Sequence, residues 1–391
     1  MSKKKIEQGT GLVQGDSPKG FILESEEPAG EKKIRTGPGC LSRLFGFFGI
    51  VLTVAGILAF LAGLKYSVLF LAPEEESREV VVSIPDGASA AKIGQLLEEA
   101  GVIKSADAFV WTLKAKSRLK KAPIVLKAGE MALDPSLPVW TTLDLIARGN
   151  YKLYPFTVPE GRNIYEIAQL VETAGFGSQA DFLALCRDQD FIKSLGLSGE
   201  SLEGYLFPET YSFSKGTPLK SIIRTMTEAF DQVWRKFESL AREKGLSKEE
   251  VVTLASIVEK ETGVGRERPV IAGVFFNRLA KGMRLETDPT VIYGLFPDFN
   301  GNITRKDLQT PHPYNTYVIA GLPPGPISNP GEAAVSAVVK PDIVPYLFFV
   351  SRNDGTHDFS ETYDEHRRKV NRYQRGQKSP SSKSGGRSKR P

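Results

Sequence analysis

The chain has 391 residues, 41% apolar and 25% charged, with 51 Lys and Arg against 46 Asp and Glu for a formal net charge of +5. This size and apolar content exclude a wholly disordered chain and exceed the needs of one ordinary domain, so at least two folded units with flexible ends are expected. The near balance of charge argues against a nucleic-acid binder; two cysteines (Cys40, Cys186) and three histidines (His312, His357, His366) give no disulfide framework and little material for a metal cage.

Residues 1–43 mix Lys, Glu, Gly, Pro and Ser without periodicity and predict a disordered tail. From Leu44 to Leu64 there are 21 residues without a charge. At about 1.5 Å per residue such a helix spans the roughly 30 Å of a bilayer's hydrocarbon. A cleaved signal peptide is the alternative, but some forty residues precede the run and no A-x-A site follows it closely. Lys32, Lys33, Arg35 and Arg43 precede the span and Glu74, Glu75 and Glu76 follow it, which places the N-terminus in the cytoplasm and nearly all that follows outside, on the periplasmic face of the inner membrane. Cys40 precedes the apolar run and so does not read as a lipoprotein acylation site, and Cys186 reads as a buried small hydrophobe.

A shift of 74 residues aligns 82–107 with 156–181 without a gap, pairing Pro85, Gly87, Ile93, Leu96 and Gly101 with Pro159, Gly161, Ile167, Leu170 and Gly175. Each copy reads as strand, Pro-acid-Gly turn, amphipathic helix and Gly stop. The unit is compatible with a LysM-type carbohydrate-binding module or with a spacer; the first copy shows no set of sugar-stacking aromatics, which favours a spacer or weak wall binding.

Motifs are densest over 200–370: LEGYLFPETY, ASIVEKET, NRL, LETDPTVIYG, YNTY and GLPPGPISNPG. Ser247 with Glu250 predicts a capping box that opens a helix running to Thr262 and stopping at Gly263. On its wheel Val251, Val252, Leu254, Ala255, Ile257 and Val258 form one broad apolar side while Ser256 and Lys260 face away. Glu259 falls inside that side, where burial would raise its pKa toward that of a general acid. The structural alternative is an acid paired with Arg266, Arg278 or Arg284. Glu261 also falls on the apolar side, so periodicity does not choose between the two. Glu209 and Asp288 are further carboxyl candidates, although Asp288 before Pro289 reads as a helix N-cap and N1 pair. Residues 374–391 form a low-complexity basic tail.

These motifs, in this order and over most of residues 78–375, resemble the endolytic murein transglycosylases of the MltG (YceG-like) family. The resemblance implies Glu259 as the catalytic acid, because it matches the first Glu of the family's EKET segment. It also implies a lyase that cleaves the β-1,4 bond between N-acetylmuramic acid and N-acetylglucosamine within peptidoglycan strands, leaving 1,6-anhydromuramoyl ends and setting glycan length. No metal or organic cofactor is implied; peptidoglycan synthases are the implied neighbours. Asn315, Tyr317 and Tyr314, with Thr287 and Asp288, are the candidates for the cleft wall, each with the alternative of serving its own turn. His357 beside Asp358 suggests an acid-base pair but more often marks a structural residue.

Two rivals differ in class. Ser89–Lys92 and Ser117–Lys120 match the S-x-x-K of penicillin-recognising hydrolases, but no K-T-G or S-D-N follows. A wall-binding scaffold without activity is the other, against which the intact EKET segment argues. The expected fold class is α+β: a tail (1–43), one transmembrane helix (44–64), a LysM-like strand-helix module (78–150), an α+β catalytic domain (151–373) opening with the second repeat, and a basic tail (374–391).

Overall fold

The computed structural model describes residues 40–375, and the side chains of 47–374. Residues 1–39 of the expected N-terminal tail, with Lys32, Lys33 and Arg35, and 376–391 of the basic tail lie outside the described residues. Cys40–Ser67 form one helix, α1, a few residues longer at each end than the expected span. The stretch Phe47–Phe70, with mean hydropathy 2.5, is long and apolar enough to cross a membrane, and its most apolar window has no protein cover. Phe48, Leu52, Leu58 and Phe60 are all exposed, as lipid-facing side chains would be.

From Val68 onward the chain packs as a separate unit. It opens with β1 (Val80–Ile84), α2 (Ala90–Glu99), α3 (Ala106–Lys120), β2 (Gly129–Leu133) and α4 (Val139–Arg148). β1 and β2 pair antiparallel with Val82 opposite Met131, and the period-2 set Val82, Ile84, Met131 and Leu133 is buried. Those side chains meet Ile93 and Leu97 of α2 and Val139, Leu143 and Ile146 of α4 in one apolar cluster. Ser89 caps α2, its hydroxyl accepting from the Lys92 N–H at 3.2 Å, which accounts for that S-x-x-K match.

The second copy follows as β3 (Leu153–Thr157), α5 (Ile164–Thr173), α6 (Gln179–Arg187), α7 (Gln189–Ser194) and β4 (Thr210–Ser214), with β3 and β4 antiparallel. Helix α5 lies 74 residues after α2 at both ends and carries a capping box between Asn163 and Glu166. The shared turn glycines Gly87 and Gly161 have φ +71° and +73°, a left-handed conformation that a Cβ opposes. The copies are stitched by a Met131–Tyr151 bridge and by the Lys152 N–H donating to the Glu130 carbonyl at 2.8 Å.

The remainder is α8 (Leu219–Trp234), α9 (Glu238–Glu243), α10 (Lys248–Glu261), a 3-10 turn at Gly265–Glu267, α11 (Arg268–Ala280), α12 (Asp288–Gly294), α13 (Arg305–Gln309), α14 (Glu332–Val339), a hairpin of β5 (Phe348–Ser351) and β6 (His357–Ser360), and α15 (Tyr363–Val370). A second apolar cluster joins the second repeat to these elements, from Phe156 and Ile167 through Phe230 to Val251 and Val338. Among the described residues the chain from Val68 is thus a mixed α and β fold with three small sheets.

Helix α10 packs against both α11 and α14, which also pack on each other. The Ser247–Glu250 capping box is present, and the helix ends at Glu261 with Thr262 extended. Its interior differs from the one-sided wheel: every residue from Val251 to Val258 is buried, Ser256 among them. The Ser256 hydroxyl is satisfied by donating to the Thr253 carbonyl at 2.7 Å and accepting from the Ile327 N–H at 3.0 Å. The proline-rich loop 321–331 lies against the side of the helix that amphipathicity assigned to solvent.

Candidate active site

Glu261 ends α10 at the wall of a cavity of about 420 Å³. Thr287, Asp288, Tyr317, Phe348, His357 and His366 also line it. Burial, then the charge of Asp288, push the Glu261 carboxyl up from 4.5 to about 7, against the opposing pull of the Thr287 hydroxyl and the Arg278 guanidinium. A carboxyl poised there is protonated for part of the time at neutral pH and can both give and retrieve a proton.

Two short segments build another part of the wall. Thr287, not Asp288, is the N-cap residue of α12 and makes no side-chain capping bond, so Asp288 is the first helical residue and its carboxylate is not used as a cap. Instead Asp288 Oδ1 accepts from the Tyr317 hydroxyl at 2.6 Å. The Thr287 N–H donates to Thr316 Oγ1 at 3.0 Å and the Glu286 N–H to the Thr316 carbonyl at 3.1 Å, tying α12 to the YNTY turn. Glu286, at the rim, holds φ +50°, a left-handed conformation uncommon outside glycine. His366 stacks on Phe348 with ring centres 5.3 Å apart, and its buried Nδ1 has no partner. Burial pushes the His366 imidazole down, so it sits there as a neutral ring.

Glu259 is placed differently. Its side chain is 4% exposed; Oε1 accepts from Arg268 Nη2 at 2.6 Å and Oε2 from the Gly331 N–H at 3.0 Å. Burial raises its pKa, opposed by the Gly331 N–H and the Arg268 charge. The partner is none of Arg266, Arg278 and Arg284. The 3-10 turn after α10 reverses the chain and brings the first residue of α11 back beside the last turn of α10. Arg278 instead donates to the carbonyls of Leu347 at 2.6 Å and Leu285 at 2.9 Å, and Asn277 to those of Val344 and Tyr346, so the NRL motif fastens the segment leading into β5 to α11.

The YNTY residues separate. Tyr317 joins the Glu261 cavity; Tyr314 lines another, of about 270 Å³, with Tyr165, Tyr293 and His312. Asn315 is 2% exposed, and its amide donates to the carbonyls of Asp307, Leu308 and Thr310. That corrects its expected place on the cleft wall: every amide donor is used in holding the loop. His357 contacts Glu267 Oε2 through Nδ1 at 2.8 Å and makes no pair with Asp358, which bonds Lys369 and Tyr373. Glu209 is exposed, and Cys186 is fully buried with its thiol pushed up by burial. Among the described residues no group of three or more His, Cys, Asp or Glu is arranged to hold a metal ion.

Sequence reasoning passed over Glu203. It is 2% exposed, and burial pushes its carboxyl up to about 8 despite the N–H groups of Ile164 and Gly204 and the Tyr293 hydroxyl. Oε2 accepts from the Ile164 N–H at 3.0 Å and Oε1 from Asn329 Nδ2 at 2.9 Å. Glu203 thereby joins the start of α5, the proline-rich loop that presents the Gly331 N–H, and α12. The available signal was a lone acid inside the apolar LEGYLF run, which has no basic neighbour.

The family model for the YceG-like family matches residues 82–372, most of the chain. The chain belongs to the YceG-like family. The match covers both repeat copies, both carboxyls of the EKET segment and every wall of the Glu261 cavity up to Val370. Among relatives, the endolytic murein transglycosylase of Bacillus subtilis is 32% identical over 317 residues, covering 77% of this chain and 86% of that protein. The endolytic murein transglycosylase of Streptococcus pneumoniae is 31% identical over 323 residues, covering 74% of this chain but 58% of that protein. The crystal structure of a YceG-like protein from Listeria monocytogenes matches 75% of this chain and 99% of its own at 34% identity, with a TM-score of 0.51.

Proposed function

We propose that the chain is a membrane-anchored endolytic peptidoglycan transglycosylase in which Glu261 is the general acid and base. The observation that carries the assignment is the place of Glu261 on the wall of an open cavity shared with Thr287, Asp288 and Tyr317, where burial pushes its carboxyl up to about 7. Glu259, which the resemblance implies, has both oxygens engaged by Arg268 and Gly331 and is assigned the part of a strut that positions the end of α10. Relatives named endolytic murein transglycosylases support the reaction class.

In the reaction, protonated Glu261 gives its proton to the glycosidic oxygen between muramic acid and glucosamine as the C1–O bond breaks. The resulting carboxylate takes the proton from the muramoyl C6 hydroxyl while that oxygen bonds to C1 and closes the 1,6-anhydro ring. The proton returns to the same carboxyl, no water is consumed, and one residue serves both steps. Hydrolytic glycosidases use a second carboxyl to activate water or to attack the sugar; here the substrate's own hydroxyl replaces it. Asp288, held by Tyr317, presents negative charge toward the oxocarbenium-like centre.

The same reading makes α1 a bilayer anchor with a cytoplasmic N-terminus and an external catalytic region, close to nascent strands and peptidoglycan synthases. The strand, helix, helix, strand order of 80–133 supports a LysM-like module there. The test is to incubate the full chain in detergent with purified peptidoglycan and identify the new ends by mass spectrometry. Anhydromuramoyl ends are expected; reducing ends would replace the reading with hydrolysis, and intact strands with a binding role.

A further inference from the structure

The two tyrosines of YNTY, three residues apart, open onto different cavities, and so do the two ends of α12. Asp288 and Tyr317 face the Glu261 cavity, Tyr293 and Tyr314 the second one. Tyr293 follows Asp288 by five positions of helix, a rise of about 8 Å. Asp288 and Tyr293 also lie about 140° apart around that helix, so a polymer that meets both cavities crosses over α12 and does not follow one face of it.

The second cavity carries the groups that a sugar ring requires. Tyr165 stacks on Phe296 with ring centres 5.4 Å apart and planes 17° apart, and Tyr293 and Tyr314 lie with centres at 4.8 Å. Such surfaces cover the apolar face of a pyranose. Arg187 donates to the Tyr165 hydroxyl at 2.8 Å, which leaves the rest of its guanidinium and the Tyr165 hydrogen available. His312 Nδ1 accepts from the Tyr314 N–H at 3.2 Å, which leaves Nε2 as the ring's donor. Glu200 adds an acceptor. Sugar hydroxyls donate and accept at once and match this mixture, whereas Glu200 opposes a purely anionic ligand. The site is closely fitted at Gly294, where a Cβ would lie 2.6 Å from His312 Nδ1.

We propose that this cavity is a second glycan site, which holds a sugar of the same strand at a distance from the bond being cleaved. The inference rests on the transglycosylase reading for the identity of the strand. Its effect is to require a long substrate, since a fragment must reach from the Glu261 cavity past α12 to gain the second contact.

The test uses the full chain in detergent with Arg187→Ala and Glu200→Ala, singly and together; both side chains are exposed, and their loss leaves the core intact. Binding of the hexamer of N-acetylglucosamine, measured by calorimetry, is expected to weaken about tenfold in the double variant, and KM for long glycan strands to rise by a similar factor, with the effect on KM rather than kcat. Gly294→Ala, which crowds His312, should weaken the hexamer in the same way. Wild-type affinity and KM in a double variant with an unchanged melt would overturn the site. If the wild type cleaved nothing while hexamer binding still depended on Arg187 and Glu200, the site would stand and the proposed activity would fall.

Discussion

Replacing Glu261 with Gln separates what this carboxyl does for the reaction from what it costs the fold. A carboxyl lifted from 4.5 to about 7 carries roughly 3 kcal/mol of disfavoured ionisation. Between those two values the folded chain keeps a proton that the unfolded chain has released, so stability falls as pH rises through this window, and the loss is complete above about 7. Gln has no proton to lose. The variant should match the wild type near pH 4 and exceed it by up to about 3 kcal/mol near pH 8.5, read from urea or thermal unfolding at the two pH values. Cleavage should fall by roughly 10²–10⁴-fold at every pH, because the amide neither gives nor retrieves the proton. A variant less stable than the wild type at all pH values would make Glu261 a structural acid, and unchanged turnover would remove it from the reaction.

Wild-type kcat/KM on peptidoglycan should decline on the alkaline side through about pH 7, since the free enzyme needs the Glu261 proton, and that limb should be absent from whatever activity Glu261→Gln retains. Glu259→Gln leaves Arg268 with only the longer, half-exposed pair to Glu160 at 3.6 Å, and should lower unfolding stability on the order of 2 kcal/mol with activity lost in step with the fold. Tyr317→Phe removes the bond to Asp288 and should reduce kcat by about tenfold, with a stability change within about 1 kcal/mol by the same melts. Asn315→Ala strips donors from three loop carbonyls and should destabilise by about 2 kcal/mol, a loss Asn315→Asp would not repair because a carboxylate donates nothing.

Local chemistry was legible where neighbours in sequence are neighbours in space. The 74-residue repeat, the Ser247–Glu250 box and the end of α10 are all set by contacts within a turn or two, and the structure has them within a residue. The wheel left Glu259 and Glu261 open, because α10 is buried on every side from Val251 to Val258, and it was the resemblance that chose Glu259. What distinguishes the two acids comes from residues distant in sequence: Thr287, Asp288 and Tyr317 at one, Arg268 and Gly331 at the other. Asn315 shows the same limit, since a polar residue in a proline-bounded turn looks alike whether it faces substrate or its own loop.

Glu259 and Glu261 are two positions apart, so they point about 200° apart around the same terminal turn. Inserting or deleting a single residue along α10 would swing both through about 100°, taking Glu259 away from Arg268 and Glu261 away from its cavity in one step. An exchange of side chain at constant length leaves that phase intact, whereas a shift in phase would undo both contacts however well each individual substitution packed.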